Sequence, residues 1–89
     1  MKSLHTARYQ KLLDYLVAAR KARGLSQQAV ADRLRRPQSF VSKYESGERR
    51  IDVVELLTLA EVVGFDVIEV IDTLSVTQRR GTRADRKAS

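Results

Sequence analysis

The chain has no cysteine, which excludes disulfides and thiolate metal sites and suits, without requiring, a reducing compartment. It has no apolar run near the roughly 20 residues that a membrane span needs. Its first residues, Met1-Lys2-Ser3-Leu4-His5-Thr6, lack the apolar stretch of a secretory signal. The expectation is a soluble cytoplasmic protein with no membrane partner. No nucleophile–base pair, phosphate-cradling glycine loop or metal-ligand spacing occurs, and the lone His5 has no nearby carboxylate or cysteine. The chain therefore reads as a non-enzyme without cofactor or metal. With 89 residues, 43% of them apolar, there is room for one small core and no second.

Charge is abundant, and its distribution is uneven. The net charge is +6, which permits nucleic acid as a partner without demanding it. Residues 1–50 hold twelve Lys and Arg against four Asp and Glu. Residues 51–74 hold no base and six acids: Asp52, Glu55, Glu61, Asp66, Glu69 and Asp72. Residues 75–89 return to five bases and one acid. A merely solvated surface mixes its signs. Here one part attracts a phosphate backbone and another repels it, which would orient a DNA complex.

Apolar spacing predicts helices throughout. Tyr9, Leu12, Leu13, Leu16 and Ala19 mark an amphipathic helix over about 7–23, stopped by Gly24 with Leu25 as the apolar contact beyond it. Ser26 is placed to cap a short helix over about 27–34, with Val30, Ala31 and Leu34 inward. Pro37 disfavours helical geometry at Arg36 yet suits the start of the next helix. That helix, about 38–46, turns Val41 and Tyr44 to one face and ends at Gly47. Asp52 and Glu55 form a capping-box pattern for a helix to about Val63, closed by Gly64, with Val53, Leu56, Leu59, Ala60 and Val63 inward. Asp66 and Glu69 repeat the pattern for a last helix to about Leu74. From Gln78 on, alanine is the only kind of apolar residue, so the tail is expected to be disordered. The expectation is an all-α domain of five helices over 1–74 and a basic tail over 75–89.

Two short helices joined by a tight turn are common, but the residues here are more telling. Gly24-Leu25-Ser26-Gln27-Gln28-Ala29-Val30-Ala31, followed by Gln38-Ser39-Phe40-Val41-Ser42-Lys43-Tyr44-Glu45-Ser46-Gly47, resembles the helix-turn-helix of the phage Cro/CI repressor family, also called the XRE family. The resemblance covers about residues 12–74 and implies a five-helix, phage-repressor-like domain that binds double-stranded DNA. One departure is Arg35, where the family often places glycine in the turn.

The residues of the second helix suit that role in their own right. With Val41 and Tyr44 inward, about 100° per residue turns Gln38, Ser39, Ser42 and Lys43 outward. Gln can pair with adenine N6 and N7, Lys can donate to guanine O6 and N7, and Ser adapts as donor or acceptor. The resemblance assigns these four to base contacts. It assigns Gln27 to a phosphate contact, from which it can also brace Gln38, and matches Arg20 and Glu45 to an ion pair joining the first helix to the recognition helix. Arg35, Arg36, Arg49 and Arg50 flank the recognition helix and are candidate phosphate clamps, of which two are expected to make no contact. Phe40 could meet a thymine methyl or cover the edge of the core.

The last two helices carry more aliphatics than one small core absorbs. Val54, Leu57, Ile68 and Ile71 are left for an interface, and the family commonly dimerises through its C-terminal helices. The reading is a sequence-specific transcriptional regulator, a repressor, binding a near-palindromic operator as a homodimer. The alternative is an antitoxin or adaptor that holds a partner protein, with or without DNA binding.

Overall fold

The first helix, α1 (Ala7–Ala22), starts where the Thr6 hydroxyl accepts the Tyr9 N–H at 3.0 Å, relieving one of the unpaired donors of a helix N-terminus. This computed structural model describes residues 6–75. His5 and the basic tail from residue 76 onward lie outside the described residues. Gly24, at φ 70°, turns the chain after α1 in the left-handed region that a side chain disfavours. Ser26 then caps α2 (Gln27–Leu34) by accepting the Ala29 N–H at 3.0 Å.

The turn between α2 and α3 (Gln38–Ser46) is made by Arg35 at φ 61°, ψ 43°. This is the left-handed site where glycine is the cheaper residue. Pro37 follows as the N-cap of α3, and Gly47 at φ 90° ends it. α4 (Val53–Leu59) opens on a complete capping box. The Glu55 N–H donates to Asp52 Oδ1 at 2.8 Å and the Asp52 N–H to Glu55 Oε1 at 3.0 Å.

The helix opened at Asp52 continues past Leu59, and Gly64 at φ 97° closes it as expected. It passes into one π-helical turn, Ala60–Gly64, closed by the Phe65 N–H on the Ala60 carbonyl at 3.2 Å. Arginines from α2 and from the C-terminal cap of α1 reach its carbonyls. Arg33 Nη1 donates to Val62 at 2.8 Å, and Arg23 Nη2 donates to Gly64. Cations at the carbonyl end of a helix oppose its dipole. The last helix, α5, spans 67–75 within the described residues. At its start Asp66 Oδ1 accepts the Ile68 N–H at 2.9 Å, but Glu69 does not repeat the reciprocal box described for α4; its Oε1 accepts the Tyr15 hydroxyl at 2.9 Å. A tertiary partner has taken the carboxylate.

The core joins Leu12, Leu13 and Leu16 of α1 to Val30 and Ala31 of α2, Val41 and Tyr44 of α3, Leu56, Leu59 and Val63, and Val70 of α5. Full burial of each large aliphatic contributes roughly 1.5–3 kcal/mol. Val53 departs from the expected inward set, being 65% exposed. It is the first residue of α4, and at about 100° per residue it sits on the flank of the stripe that Leu56, Leu59 and Val63 define. Among the described residues no helix is long and apolar enough to cross a membrane.

Candidate nucleic-acid interface

α3 is held from behind and left open in front. Val41 and Tyr44 are buried, and Phe40 covers the edge of the core at 8% exposure, its ring edge-on to Tyr44 at 5.5 Å between centroids. Burial pushes the Tyr44 phenol above its usual range, with the Glu45 carboxylate adding to the shift. On the opposite side Gln38, Ser39 and Lys43 are exposed and Ser42 is half-buried. At about 100° per residue, the mean direction of these four side chains is opposite that of Phe40, Val41 and Tyr44, as the 3.6-residue period requires.

A chain of polar contacts fixes the helix in place. Arg20 of α1 donates from Nε and Nη2 to the two carboxylate oxygens of Glu45 at 2.7 and 3.0 Å, and from Nη1 to the Leu25 carbonyl at 2.9 Å. The pair is little exposed, 11% and 7% for the two side chains. Its two parallel bonds fix direction as well as distance. The hydrogen bond to Glu45 holds the Arg20 guanidinium above its ordinary range. Gln27 Nε2 donates to the same carboxylate at 2.9 Å, while its Oε1 accepts from Gln38 Nε2 at 2.6 Å. A side chain on the open face is thus tied, through two intermediates, to the first helix.

The order of α1 to α5 matches a known arrangement. A helix-turn-helix domain family matches residues 11–72. The solved structure of an XRE-family like protein from Pseudomonas syringae pv. tomato str. DC3000 is similar at 47% identity and a TM-score of 0.79, over 86% of this chain and 94% of that one. The chain belongs to the XRE family of helix-turn-helix proteins. Membership supports a DNA-binding regulator. No curated protein matches the chain.

The four arginines around α3 of this XRE-family chain are not equivalent. Arg35 is exposed at the turn. Arg36 lies over the Phe40 ring, 4.4 Å from its centroid, and Arg49 over the same ring at 4.7 Å. Arg50 lies over Tyr9 at 4.3 Å. The Tyr9 hydroxyl also accepts the Ile51 N–H at 3.0 Å, anchoring the loop after α3 onto α1. Arg49 donates to both carboxylate oxygens of Glu55, at 3.0 and 2.8 Å, and to the Arg50 carbonyl at 2.8 Å. Arg36 comes within 3.8 Å of Glu55.

Glu55 is the residue whose wider part in the site the sequence does not disclose. Its place in the capping box is visible three residues after Asp52. Its ion pair spans six positions across a loop, a separation with no periodic signature. The hydrogen bond from Arg49 holds the Glu55 carboxyl below its usual range despite partial burial.

The aliphatics left over in α4 and α5 are outward. Val54, Leu57, Ile68 and Ile71 are 66%, 46%, 66% and 47% exposed.

Proposed function

We propose that this XRE-family protein is a cytoplasmic, sequence-specific transcriptional repressor that binds a near-palindromic operator as a homodimer, without catalytic activity. The observation that carries the reading is the outward edge of α3, with Gln38 braced by Gln27. Gln38 donates one amide hydrogen to Gln27, so a second N–H and the carbonyl oxygen remain for adenine N7 and N6. Ser39, Ser42 and Lys43 extend the readable surface along the same edge. Gln27 and the arginines at 35, 36, 49 and 50 are assigned to phosphates, which position the protein without reading sequence.

The dimer rests on Val54, Leu57, Ile68 and Ile71, which a second copy would cover. Two recognition helices about 34 Å apart, one turn of B-DNA, would then meet successive major grooves.

Selection of bound duplexes from a random pool yields the preferred site. On that site Gln38→Ala and Lys43→Ala are each expected to cost about 1–3 kcal/mol, with binding to random duplex largely kept. Equal losses on both duplexes would remove these residues from base reading. A wild type that selects no sequence would overturn the reading itself.

A further inference from the structure

We propose that Glu55 is a built-in competitor for DNA phosphate, withholding Arg49 and Arg36 beside the recognition helix and so limiting the protein's affinity for duplex of any sequence. The inference rests on the DNA-binding reading above and adds a residue that acts through two others. The geometry is specific. Arg49 Nη1 and Nη2 meet Glu55 Oε1 and Oε2 at 3.0 and 2.8 Å, and Arg36 Nη2 stands 3.8 Å from Oε2. Both guanidiniums rest against the Phe40 ring. Their side chains remain 46% and 40% exposed for Arg36 and Arg49, while Glu55 is 17% exposed. The carboxylate therefore sits behind two cations that solvent, or a phosphate, reaches from outside.

A carboxylate and a phosphate ask the same thing of arginine, two parallel N–H donors from one fork. The Arg49 fork that faces Glu55 cannot serve both at once. Its Nη1 also holds the Arg50 carbonyl, so most of its terminal N–H groups are already given to the protein. Glu55 is not free to swing aside either, because its Oε1 accepts the Asp52 N–H in the capping box. A phosphate approaching this pair must displace an anchored carboxylate or share the cations with it. Contacts of that kind add affinity regardless of sequence, and the surplus of random sites in a genome makes such affinity a drain on the occupied operator.

The test uses the full chain and a random-sequence duplex, titrated across a salt series. Glu55→Gln keeps an oxygen to accept the Asp52 N–H and loses the charge. Glu55→Asp keeps the charge and draws the carboxylate back by one methylene. Glu61→Gln, which removes an exposed acid on the π turn, controls for net charge. Glu55→Gln is expected to bind about ten-fold tighter near 0.1 M salt, with a log–log salt slope steeper by about one phosphate contact. Glu55→Asp should move the same way by a smaller factor, and Arg49→Ala added to Glu55→Gln should cancel most of the gain. Glu55 variants that match or fall below wild type, or a Glu61→Gln effect of equal size, would overturn the proposal. Because the wild type is titrated on the same duplex, its failure to bind at any salt would instead remove the DNA-binding reading.

Discussion

Around α3 the side chains are polar and held; around α4 and α5 they are apolar and bare. Glu45 collects Arg20 and Gln27, Gln27 holds Gln38, and the pair at the root is nearly out of solvent. The opposite region has no Lys or Arg between residues 51 and 74, yet exposes Val54, Leu57, Ile68 and Ile71. The two surfaces ask for different partners. A prearranged polar edge loses little freedom when it meets a polar ligand, so its geometry carries selectivity. Bare aliphatics have no directional preference and gain by being covered at all.

The contrast breaks first at Ile68. Ile68→Asp is expected to leave the melting temperature of dilute protein almost unchanged, since the residue is 66% exposed, while association weakens. Operator affinity should fall well over ten-fold, because each half-site alone binds weakly. Sedimentation at micromolar concentration with a parallel operator titration checks both halves. A wild type that stays monomeric and still binds its operator as one copy would end the dimer model.

The polar side is tested through its root. Arg20→Ala strands Glu45 with Gln27 as its remaining side-chain donor, and a stability loss on the order of 2 kcal/mol is expected. In a domain of this size that corresponds to a melting temperature lower by about 10 °C. A double-mutant cycle with Glu45→Ala should show coupling, as the second deletion removes the charge left by the first. Strict additivity would mean that the pair does not set the position of α3.

The smallest effect lies at the turn. Arg35→Gly relieves a left-handed residue but loosens the unfolded chain. The net gain expected is about 0.5 kcal/mol, a rise of a few degrees. DNA binding should weaken at the same time if Arg35 meets phosphate. A fall in melting temperature would mean that the Arg35 side chain supports the fold.

Most of the fold was legible because local chemistry marked it. Ser26, Gly24, Gly47 and the Asp52–Glu55 box each stand at a helix boundary, and the bounds of α2 and α3 follow from them. Three things were not legible. The π turn receives Arg33 of α2 and Arg23, the C-cap of α1, at its carbonyls, and no spacing within 60–64 announces it. Glu69 had a local role open to it and took a distant one with Tyr15. Val53 fits a helical stripe on paper, but the first turn of α4 leaves it exposed. The candidate base-reading edge was legible from periodicity, whereas the Arg49–Glu55 pair was not, because ion pairs across loops obey no period.

The π turn ends at Gly64 in the left-handed region and Phe65 follows in extended backbone, so α4 and α5 are joined by a short corner. A homologous chain with a corner one residue shorter or longer would seat α5 differently on the core, and Ile68 and Ile71 would look toward a different neighbour. Any two-fold built on them would then set its recognition helices at another separation and tilt. In such a lineage a single codon gained or lost, far from the candidate base-reading edge, would change the half-site spacing such a dimer fits.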